Sequence, residues 1–143
     1  MKILLIDEDR MRGEQLQFIL EHLYKWKIFR AESPSDGIRL LKRQSKEIDI
    51  ILLDIMMPAD EAVDVNDSNL GMDTGLLVLE KIRKELKLEI PIMLYTARRD
   101  LGYLKDENLI SDYAVKPISI EELSQKIKDV CSNKHNSSHN LND

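Results

Sequence analysis

The sequence contains few of the residues on which many catalytic and metal-binding sites depend. It has one cysteine, Cys131, which excludes an intramolecular disulfide and a cysteine-rich zinc site. Two of its three histidines, His135 and His139, lie in a polar C-terminal stretch. The sequence therefore does not provide the residues for a histidine-based catalytic triad or metal cluster. No apolar run approaches the roughly 20 residues of a membrane span. The first apolar run also meets acidic residues too soon to be a signal peptide, so we expect a cytoplasmic chain that does not bind membranes.

The charge balance argues against another class of function. The chain has 143 residues, of which 33% are charged and 43% hydrophobic, values that fit one folded domain with a substantial core. Its formal net charge is -5. Because nucleic acids attract basic surfaces, we do not expect direct binding to nucleic acid.

Short apolar runs alternate along the chain with longer stretches of helical spacing. A continuous apolar run is typical of a strand that is buried on both faces. Such runs predict strands over residues 3–6, 27–31, 48–53, 90–95 and 113–115. Strands that alternate with helices in this way favour a parallel sheet with helices on both faces. The sequence therefore predicts an α/β fold.

Helices are predicted between these strands from apolar spacing and from capping residues. The first helix has its apolar residues on one face, and the nearby Phe18 is expected to lie in or near the core. Ser33 predicts the start of the second helix, Asp73 is a candidate cap for the third, and Ser119 opens the last. A short, weakly patterned helix is expected over residues 98–108. The apolar face of the first helix comprises Leu16, Ile19, Leu20 and Leu23.

Two segments depart from this alternation. Residues 59–73 have no apolar period and hold acidic residues without a basic one. Residues 132–143 are polar and rich in Asn, Ser and His, which predicts a disordered tail. The folded domain is accordingly expected over residues 1–131.

Reactive side chains follow the predicted strands at their carboxyl ends. They are the acidic run at residues 7–9, Asp54, Thr96 and Lys116. In an open α/β sheet the carboxyl ends of the strands border the ligand-binding crevice, so we expect these side chains to converge. Carboxylates packed together repel one another and attract a cation, and oxygen ligands favour Mg²⁺ over zinc. The arrangement suits Mg²⁺-assisted transfer of a phosphoryl group to an aspartate.

Four motifs at these positions resemble those of the receiver (CheY-like) domains of bacterial two-component response regulators. They are Leu-Ile-Asp-Glu at 5–8, Leu-Asp-Ile-Met-Met-Pro at 53–58, Tyr-Thr-Ala at 95–97 and Tyr-Ala-Val-Lys-Pro at 113–117. The motifs occur in the family's order and at roughly its spacing, and the resemblance covers residues 1–131. It implies a flavodoxin-like sheet of five parallel strands in the order 2-1-3-4-5.

The resemblance assigns the phosphorylation chemistry to particular residues. Asp54 would accept the phosphoryl group. Asp7 and Glu8 would hold Mg²⁺, or Mn²⁺ in its place, with Asp54 and the backbone carbonyl of Met56 as further ligands. No enzymatic activity is implied beyond this Mg²⁺-assisted self-phosphorylation and the later loss of the phosphoryl group.

The resemblance also implies residues that respond to the phosphoryl group. Thr96 would hydrogen-bond a phosphoryl oxygen, and Lys116 would form an ion pair with the group. Tyr113 matches an aromatic residue whose rotamer follows that threonine, and the peptide between Lys116 and Pro117 is expected to be cis. Such a domain would switch between two arrangements of its last helix–strand–helix face.

Two departures from the family pattern bear on function. The family usually runs more directly from the proline after the acceptor to a glycine, so we interpret residues 59–73 as an inserted acidic loop. It either limits access to the site, offers a partner surface, or is neutral in function. Met56 and Arg98 match the two positions that, in the family, tune how fast the phosphoryl group is lost. Because methionine cannot orient water by hydrogen bonding, we expect slow autodephosphorylation.

The preferred interpretation is a stand-alone, phosphorylation-dependent signalling switch. Its donor would be a histidine kinase or a phosphotransfer protein, and its output would pass through an unidentified partner protein, with homodimerisation left open. An alternative is a docking module that uses the receiver fold and the acidic loop without phosphorylation. A flavin-binding protein would need a phosphate-binding loop where this chain has acids at 7–9, and an aspartyl-phosphate hydrolase would need an acid in place of Met56.

Overall fold

The computed structural model describes the backbone of residues 1–140 and the side chains of residues 1–133. Strands and helices alternate along this part of the chain. The strands are β1 (Lys2–Ile6), β2 (Lys27–Ala31), β3 (Ile50–Leu53), β4 (Ile92–Thr96) and β5 (Asp112–Val115). The helices are α1 (Arg10–Tyr24), α2 (Pro34–Gln44), α3 (Thr74–Glu80), α4 (Tyr103–Asp106) and α5 (Ile120–Asn140). A 3-10 turn (Ser45–Glu47) precedes β3, and a π-helical turn (Lys81–Glu85) continues α3.

The strands are all parallel and form one sheet in the order β2-β1-β3-β4-β5. Ile6 pairs with Ala31 and with Leu53, and Thr96 pairs with Val115, so the carboxyl ends of the strands lie along one edge. The direction of strand addition reverses between β1 and β3, which is where an open sheet of this kind forms a crevice. The predicted fold class and strand order are confirmed.

The central strands are apolar on both faces because helices cover both sides of the sheet. On one face, Leu4 and Leu53 are buried together with residues of α2 and α3. On the other face, Ile3 and Leu52 are buried with residues of α1 and α5. Each such side chain contributes about 2 kcal/mol when it is fully buried, so β1 and β3 are firmly anchored at the centre of the fold.

Side-chain caps begin three of the helices. Asp9 before α1, Ser33 before α2 and Ser119 before α5 each accept a hydrogen bond from the backbone N–H three residues further on, at 3.1, 3.2 and 3.1 Å. Pro34 follows Ser33 as the first residue of α2, where its missing N–H is tolerated. The predicted starts at Ser33 and Ser119 are confirmed.

The buried face of α1 is narrower than its apolar spacing suggests. Leu16 and Leu20 are buried, whereas Leu23 is 63% exposed. The prediction that Phe18 lies in or near the core is wrong, because this side chain is 68% exposed. Residues two apart on a helix point in different directions, and Phe18 lies two residues from each buried leucine. Its ring instead stacks on that of His22, with 5.5 Å between the ring centroids.

Two strands begin later than predicted. β3 begins at Ile50 and not at residue 48, because the N–H of Ile48 bonds to the carbonyl of Ser45 and closes the 3-10 turn. β4 begins at Ile92 and not at residue 90, since Pro91 has no N–H to donate to a neighbouring strand.

Two helices also differ from the prediction. The helix expected over residues 98–108 is one turn, α4, because most backbone bonds here join residues three apart, such as the N–H of Leu104 to the carbonyl of Leu101. α5 continues to Asn140, although a disordered tail was predicted over 132–143. Helix propagation adds a hydrogen bond for each residue fixed, so the backbone can continue past the last apolar residue. Residues 141–143 lie outside the described residues.

None of the described helices has the length and apolar character to cross a membrane.

Residues 59–73 form a series of turns that connects β3 to α3, and we call this segment the acidic loop. The Asp60 carboxylate accepts hydrogen bonds from the N–H groups of Ser35 and Ala62, at 3.0 and 2.9 Å. The ammonium group of Lys81 donates to the carbonyl of Ala62 at 2.9 Å. The loop is therefore tied to α2 on one side and to the π-helical turn on the other.

Candidate functional site

Side chains from four strand ends meet at the crevice. Asp7 follows β1, Asp54 follows β3, Thr96 ends β4 and Lys116 follows β5. The N–H of Asp54 donates to the carbonyl of Ile6 at 3.0 Å, and the N–H of Lys116 donates to that of Thr96 at 2.8 Å. Asp7, Asp54 and Thr96 are 6%, 7% and 2% exposed. The sheet thus brings together, in a mostly buried place, the polar side chains that the sequence predicted to converge.

Lys116 joins the two buried carboxylates. Its Nζ lies 2.7 Å from Oδ2 of Asp7 and 3.3 Å from Oδ2 of Asp54. The same ammonium group lies 4.4 Å from the centroid of the Tyr95 ring, which attracts cations through its face. Charge-assisted bonds of this length are stronger than neutral ones, so the ammonium group is held at a defined place in the crevice.

The surroundings change the pKa values of Asp54 and Lys116. Burial raises the pKa of the Asp54 carboxyl above its ordinary value, and the charge of Asp7 acts in the same direction. The charge of Lys116 and hydrogen bonds from the Thr96 hydroxyl and the Met56 N–H lower this pKa, without offsetting the raising effects. For Lys116, burial acts to lower the pKa, but the hydrogen bond to Asp7 and the charges of Asp54 and Asp7 raise it above its ordinary value. The lysine therefore stays cationic at neutral pH.

Glu8 extends the acidic group toward solvent. Burial raises its pKa, and the charges of Asp54 and Asp7 raise it further, so the three carboxylates act on one another across the crevice. A cation would relieve this repulsion. Within the described residues, no group of three or more His, Cys, Asp or Glu side chains is arranged so that it could by itself hold a metal ion. Mg²⁺ keeps several of its waters when it binds to proteins, so an open set of oxygen ligands fits it.

The turn after Asp54 is packed closely against the start of α3. Oδ1 of Asp54 accepts the N–H of Met56 at 3.3 Å, and the N–H of Gly75 donates to the carbonyl of Ile55 at 2.8 Å. A Cβ atom at position 75 would lie 2.3 Å from the Asp54 carbonyl oxygen, a separation that side chains do not tolerate. Glycine at position 75 therefore lets α3 begin directly against the backbone of Asp54 and Ile55, a requirement that sequence reasoning missed.

Thr96 and Tyr113 border the same small space behind the crevice. Thr96 is buried, and its Oγ1 accepts the N–H of Arg98 at 3.4 Å. Tyr113 is 40% exposed, and both residues line a cavity of about 10 Å³ together with Gly102. The peptide between Lys116 and Pro117 is cis, the isomer that the resemblance implies.

Arg98 ties the loop after β4 to the end of the acidic loop. Its Nη1 donates to the Met72 carbonyl at 2.8 Å and to the Asp73 carboxylate at 2.6 Å. Its Nε and Nη2 donate to the Asp100 carboxylate at 3.0 and 2.7 Å. Sequence reasoning identified Arg98 but missed its partners. Asp73 precedes α3 as predicted, yet its side chain makes no capping bond and pairs with Arg98, from which it is separated by 25 residues.

Comparison with known proteins gives one consistent family. A family model described as the response regulator receiver domain matches residues 3–128. The chain is 30% identical over 139 residues to the transcriptional regulatory protein CpxR of Escherichia coli strain K12. It is 28% identical over 130 residues to the transcriptional regulatory protein CrdR of Helicobacter pylori. These alignments cover 94% and 89% of this chain but 50% and 53% of the relatives, so the chain spans about half the length of the curated proteins it matches.

Solved structures show the same architecture. A response regulator receiver domain protein from Clostridium thermocellum superposes with a TM-score of 0.75 at 24% identity, covering 94% of this chain and 96% of that one. A two-component response regulator from Clostridium difficile superposes with a TM-score of 0.68 at 25% identity, covering 90% and 93% of the two chains. The fold is therefore common to this chain and these proteins.

Proposed function

The chain belongs to the family of response regulator receiver domains, and on this basis we propose that it is a phosphorylation-dependent switch whose acceptor is Asp54. The placement of Asp54 carries the proposal. Its carboxylate is buried at the crevice, with the ammonium group of Lys116 3.3 Å from Oδ2. A carboxylate can act as a phosphoryl acceptor, and a fixed cation beside it stabilises the charge that the phosphoryl group brings.

In the proposed reaction, a carboxylate oxygen of Asp54 attacks the phosphorus atom of a donor. A bond forms between this oxygen and phosphorus while the bond from phosphorus to the leaving group breaks, and the leaving group keeps the electron pair. The negative charge then lies mainly on the phosphoryl oxygens. Lys116, bonded to Asp7 at 2.7 Å, would pair with one oxygen, and the hydroxyl of Thr96, which ends the neighbouring strand β4, would donate to another.

The acidic residues have a separate role in the proposal. Asp7, Glu8, Asp54 and the backbone carbonyl of Met56 would hold Mg²⁺, or Mn²⁺ in its place. A divalent cation bound there neutralises charge on the phosphoryl group during transfer. Without a cation, the carboxylates of Asp7 and Glu8 repel an anionic donor, so phosphorylation is expected to depend on the metal.

We propose that the donor is a histidine kinase or a phosphotransfer protein and that the output passes through a partner protein. Homodimerisation through α4, β5 and α5 is left open by the proposal. The proposal also includes slow loss of the phosphoryl group, because the Met56 side chain offers no strong hydrogen-bonding group that could orient an attacking water.

The experiment that tests the proposal measures the intact mass of the protein after incubation with acetyl phosphate. We expect one phosphoryl adduct in the presence of Mg²⁺ and none in the presence of a chelator. The variant Asp54→Asn should form no adduct, because an amide cannot act as the nucleophile. The matched control is Asp49→Asn, which removes an exposed carboxylate just before β3. It should be phosphorylated like the wild type.

A second candidate function is a docking module that works without phosphorylation. It is favoured by the acidic loop, whose side chains Val65, Leu70 and Met72 are 67%, 100% and 45% exposed. Apolar side chains grouped at a surface are a common feature of interaction sites. The same experiment separates the two candidates. Absence of any adduct on the wild type, with Mg²⁺ present, would reject the switch and favour the docking module.

A further inference from the structure

The ion pair between Arg98 and Asp73 connects the loop after β4 to the end of the acidic loop, and we call it the latch. The Arg98 side chain is 17% exposed, and the Asp73 side chain is 32% exposed. The guanidinium group also bonds the Met72 carbonyl and the Asp100 carboxylate, so its donors hold groups from both segments at once. An arginine bound in this way is fixed in position, since its planar group has little freedom left.

The Asp73 side of the latch is fixed relative to the acceptor. The carbonyl of Gly71 accepts the N–H of Met57 at 3.1 Å, and the N–H of Gly75 donates to the carbonyl of Ile55 at 2.8 Å. Asp73 lies between these two attachment points. Its carboxylate therefore has a defined place beside the turn that follows Asp54.

The Arg98 side of the latch reaches Thr96. The backbone N–H of Arg98 donates to Oγ1 of Thr96 at 3.4 Å. A hydroxyl group has one proton and two acceptor positions. When the N–H of Arg98 occupies an acceptor position, the hydroxyl proton of Thr96 is left free to point elsewhere, and Asp54 follows β3, the strand that pairs with β4.

We propose that Asp73, acting through Arg98, is a positioning residue that orients the Thr96 hydroxyl toward the acceptor. The proposal rests on the proposed function, because it concerns the same transfer to Asp54. A donor group held in place before the reaction stabilises developing charge without having to reorganise. Thr96 would thus be aimed at the place where a phosphoryl oxygen arrives, and the end of the acidic loop would help to aim it.

The test compares the rates of adduct formation from acetyl phosphate at saturating Mg²⁺, followed by intact mass. In this reaction the Asp54 oxygen bonds to phosphorus, the bond from phosphorus to acetate breaks, and acetate leaves with the electron pair. We expect Asp73→Asn and Arg98→Ala to slow the reaction about fivefold, which corresponds to one hydrogen bond of ordinary net strength. Arg98→Lys, which keeps the charge, should restore part of the rate.

The matched control is Arg39→Ala. Arg39 pairs with Asp36 at 2.9 Å within α2, so this variant also loses an arginine–aspartate pair but leaves the crevice unchanged. Its rate should equal that of the wild type. Asp73→Asn is nearly isosteric, so the proposal stays testable even if Arg98→Ala does not fold.

A double-mutant cycle with Thr96→Ala distinguishes positioning from a general structural effect. If the latch acts through Thr96, adding Asp73→Asn to Thr96→Ala should change the rate by less than about twofold. Multiplication of the two separate effects would overturn the proposal, and so would a wild-type rate in Asp73→Asn. A latch variant that also loses Mg²⁺ affinity in proportion to its rate would equally contradict positioning through Thr96.

The two proposals fail in different ways. A wild-type chain that takes no phosphoryl group would reject the proposed function, and the latch with it. A wild-type chain that is phosphorylated normally, beside latch variants that react at the same rate, would reject the latch alone.

Discussion

Asp54 combines its proposed role as the phosphoryl acceptor with a disadvantage for folding. Burial raises its pKa, which means that the folded protein holds the ionised form less favourably than water does. The charge of Lys116 reduces this disadvantage without removing it, and the charge of Asp7 adds to it. An acceptor carboxylate that is poorly stabilised in the resting state gains from a cation and from transfer of its charge to a phosphoryl group.

This account predicts that Asp54→Asn raises the melting temperature in metal-free buffer at neutral pH. A carboxyl whose pKa is raised by folding destabilises the fold when it is ionised. The destabilisation is present at a pH above the pKa of Asp54 in the folded protein. It disappears at a pH below the pKa of the same group in the unfolded chain, which is near 3.8. The advantage of the variant over the wild type should therefore shrink as the pH falls toward that value. Thermal denaturation followed by circular dichroism over this pH range measures it.

Asp49→Asn serves as the control for that prediction. The Asp49 carboxylate accepts the N–H of Lys2 at 2.7 Å in an exposed place, so its removal should not stabilise the protein. A lower melting temperature for Asp54→Asn than for the wild type at neutral pH would show that the Lys116 ion pair outweighs burial, contrary to our account.

At the residue scale, sequence could identify the groups that strand ends bring together but not those that loops bring together. Asp7, Asp54, Thr96 and Lys116 were predictable because each stands at the carboxyl end of a recognisable strand. The pairing of Arg98 with Asp73 was not, since no periodicity relates residues in two separate loops.

At the scale of elements, the strands were predictable because burial on both faces leaves a continuous apolar run. The ends of the strands were less predictable, since they depend on single hydrogen bonds such as the one from the N–H of Ile48 to the carbonyl of Ser45. The orientation of α1 could not be fixed from spacing alone. Its apolar residues cover more than the buried face, and both Phe18 and Leu23 are left exposed.

The junction of β3 and α3 gives a prediction at this scale. We expect Gly75→Ala to lower the free energy of unfolding by roughly 1–3 kcal/mol, the usual effect of forcing an extra carbon into a packed place. The added Cβ would lie 2.3 Å from the Asp54 carbonyl oxygen and 2.5 Å from Cα of Ile55, so backbone would have to move. Urea denaturation measures the change.

Gly13→Ala is the matched control for this substitution. Gly13 lies within α1, and a Cβ there would be 3.5 Å from its nearest neighbour, Cδ of Arg30, which is ordinary contact. Since alanine favours helix over glycine by about 1 kcal/mol, this variant should be at least as stable as the wild type. Equal destabilisation by the two substitutions would contradict the close approach that we describe at Gly75.

At the scale of the whole molecule, one edge of the sheet carries the proposed phosphorylation site, and the acidic loop lies beside it. The four polar strand ends, the turn after Asp54 and the latch all lie around that edge. The relatives CpxR and CrdR are about twice as long as the matched region, so their transcriptional role is a property of longer chains. What this chain shares with them is the receiver domain, and the proposed output follows from its phosphorylation.

The most direct measurement of the central claim locates the phosphoryl group on the chain. After reaction with acetyl phosphate and Mg²⁺, borohydride reduction converts an aspartyl phosphate to homoserine, and peptide mapping by mass spectrometry finds the converted residue. We predict conversion at Asp54 and at no other aspartate. Conversion at a different residue, or an adduct that persists in Asp54→Asn, would contradict the account.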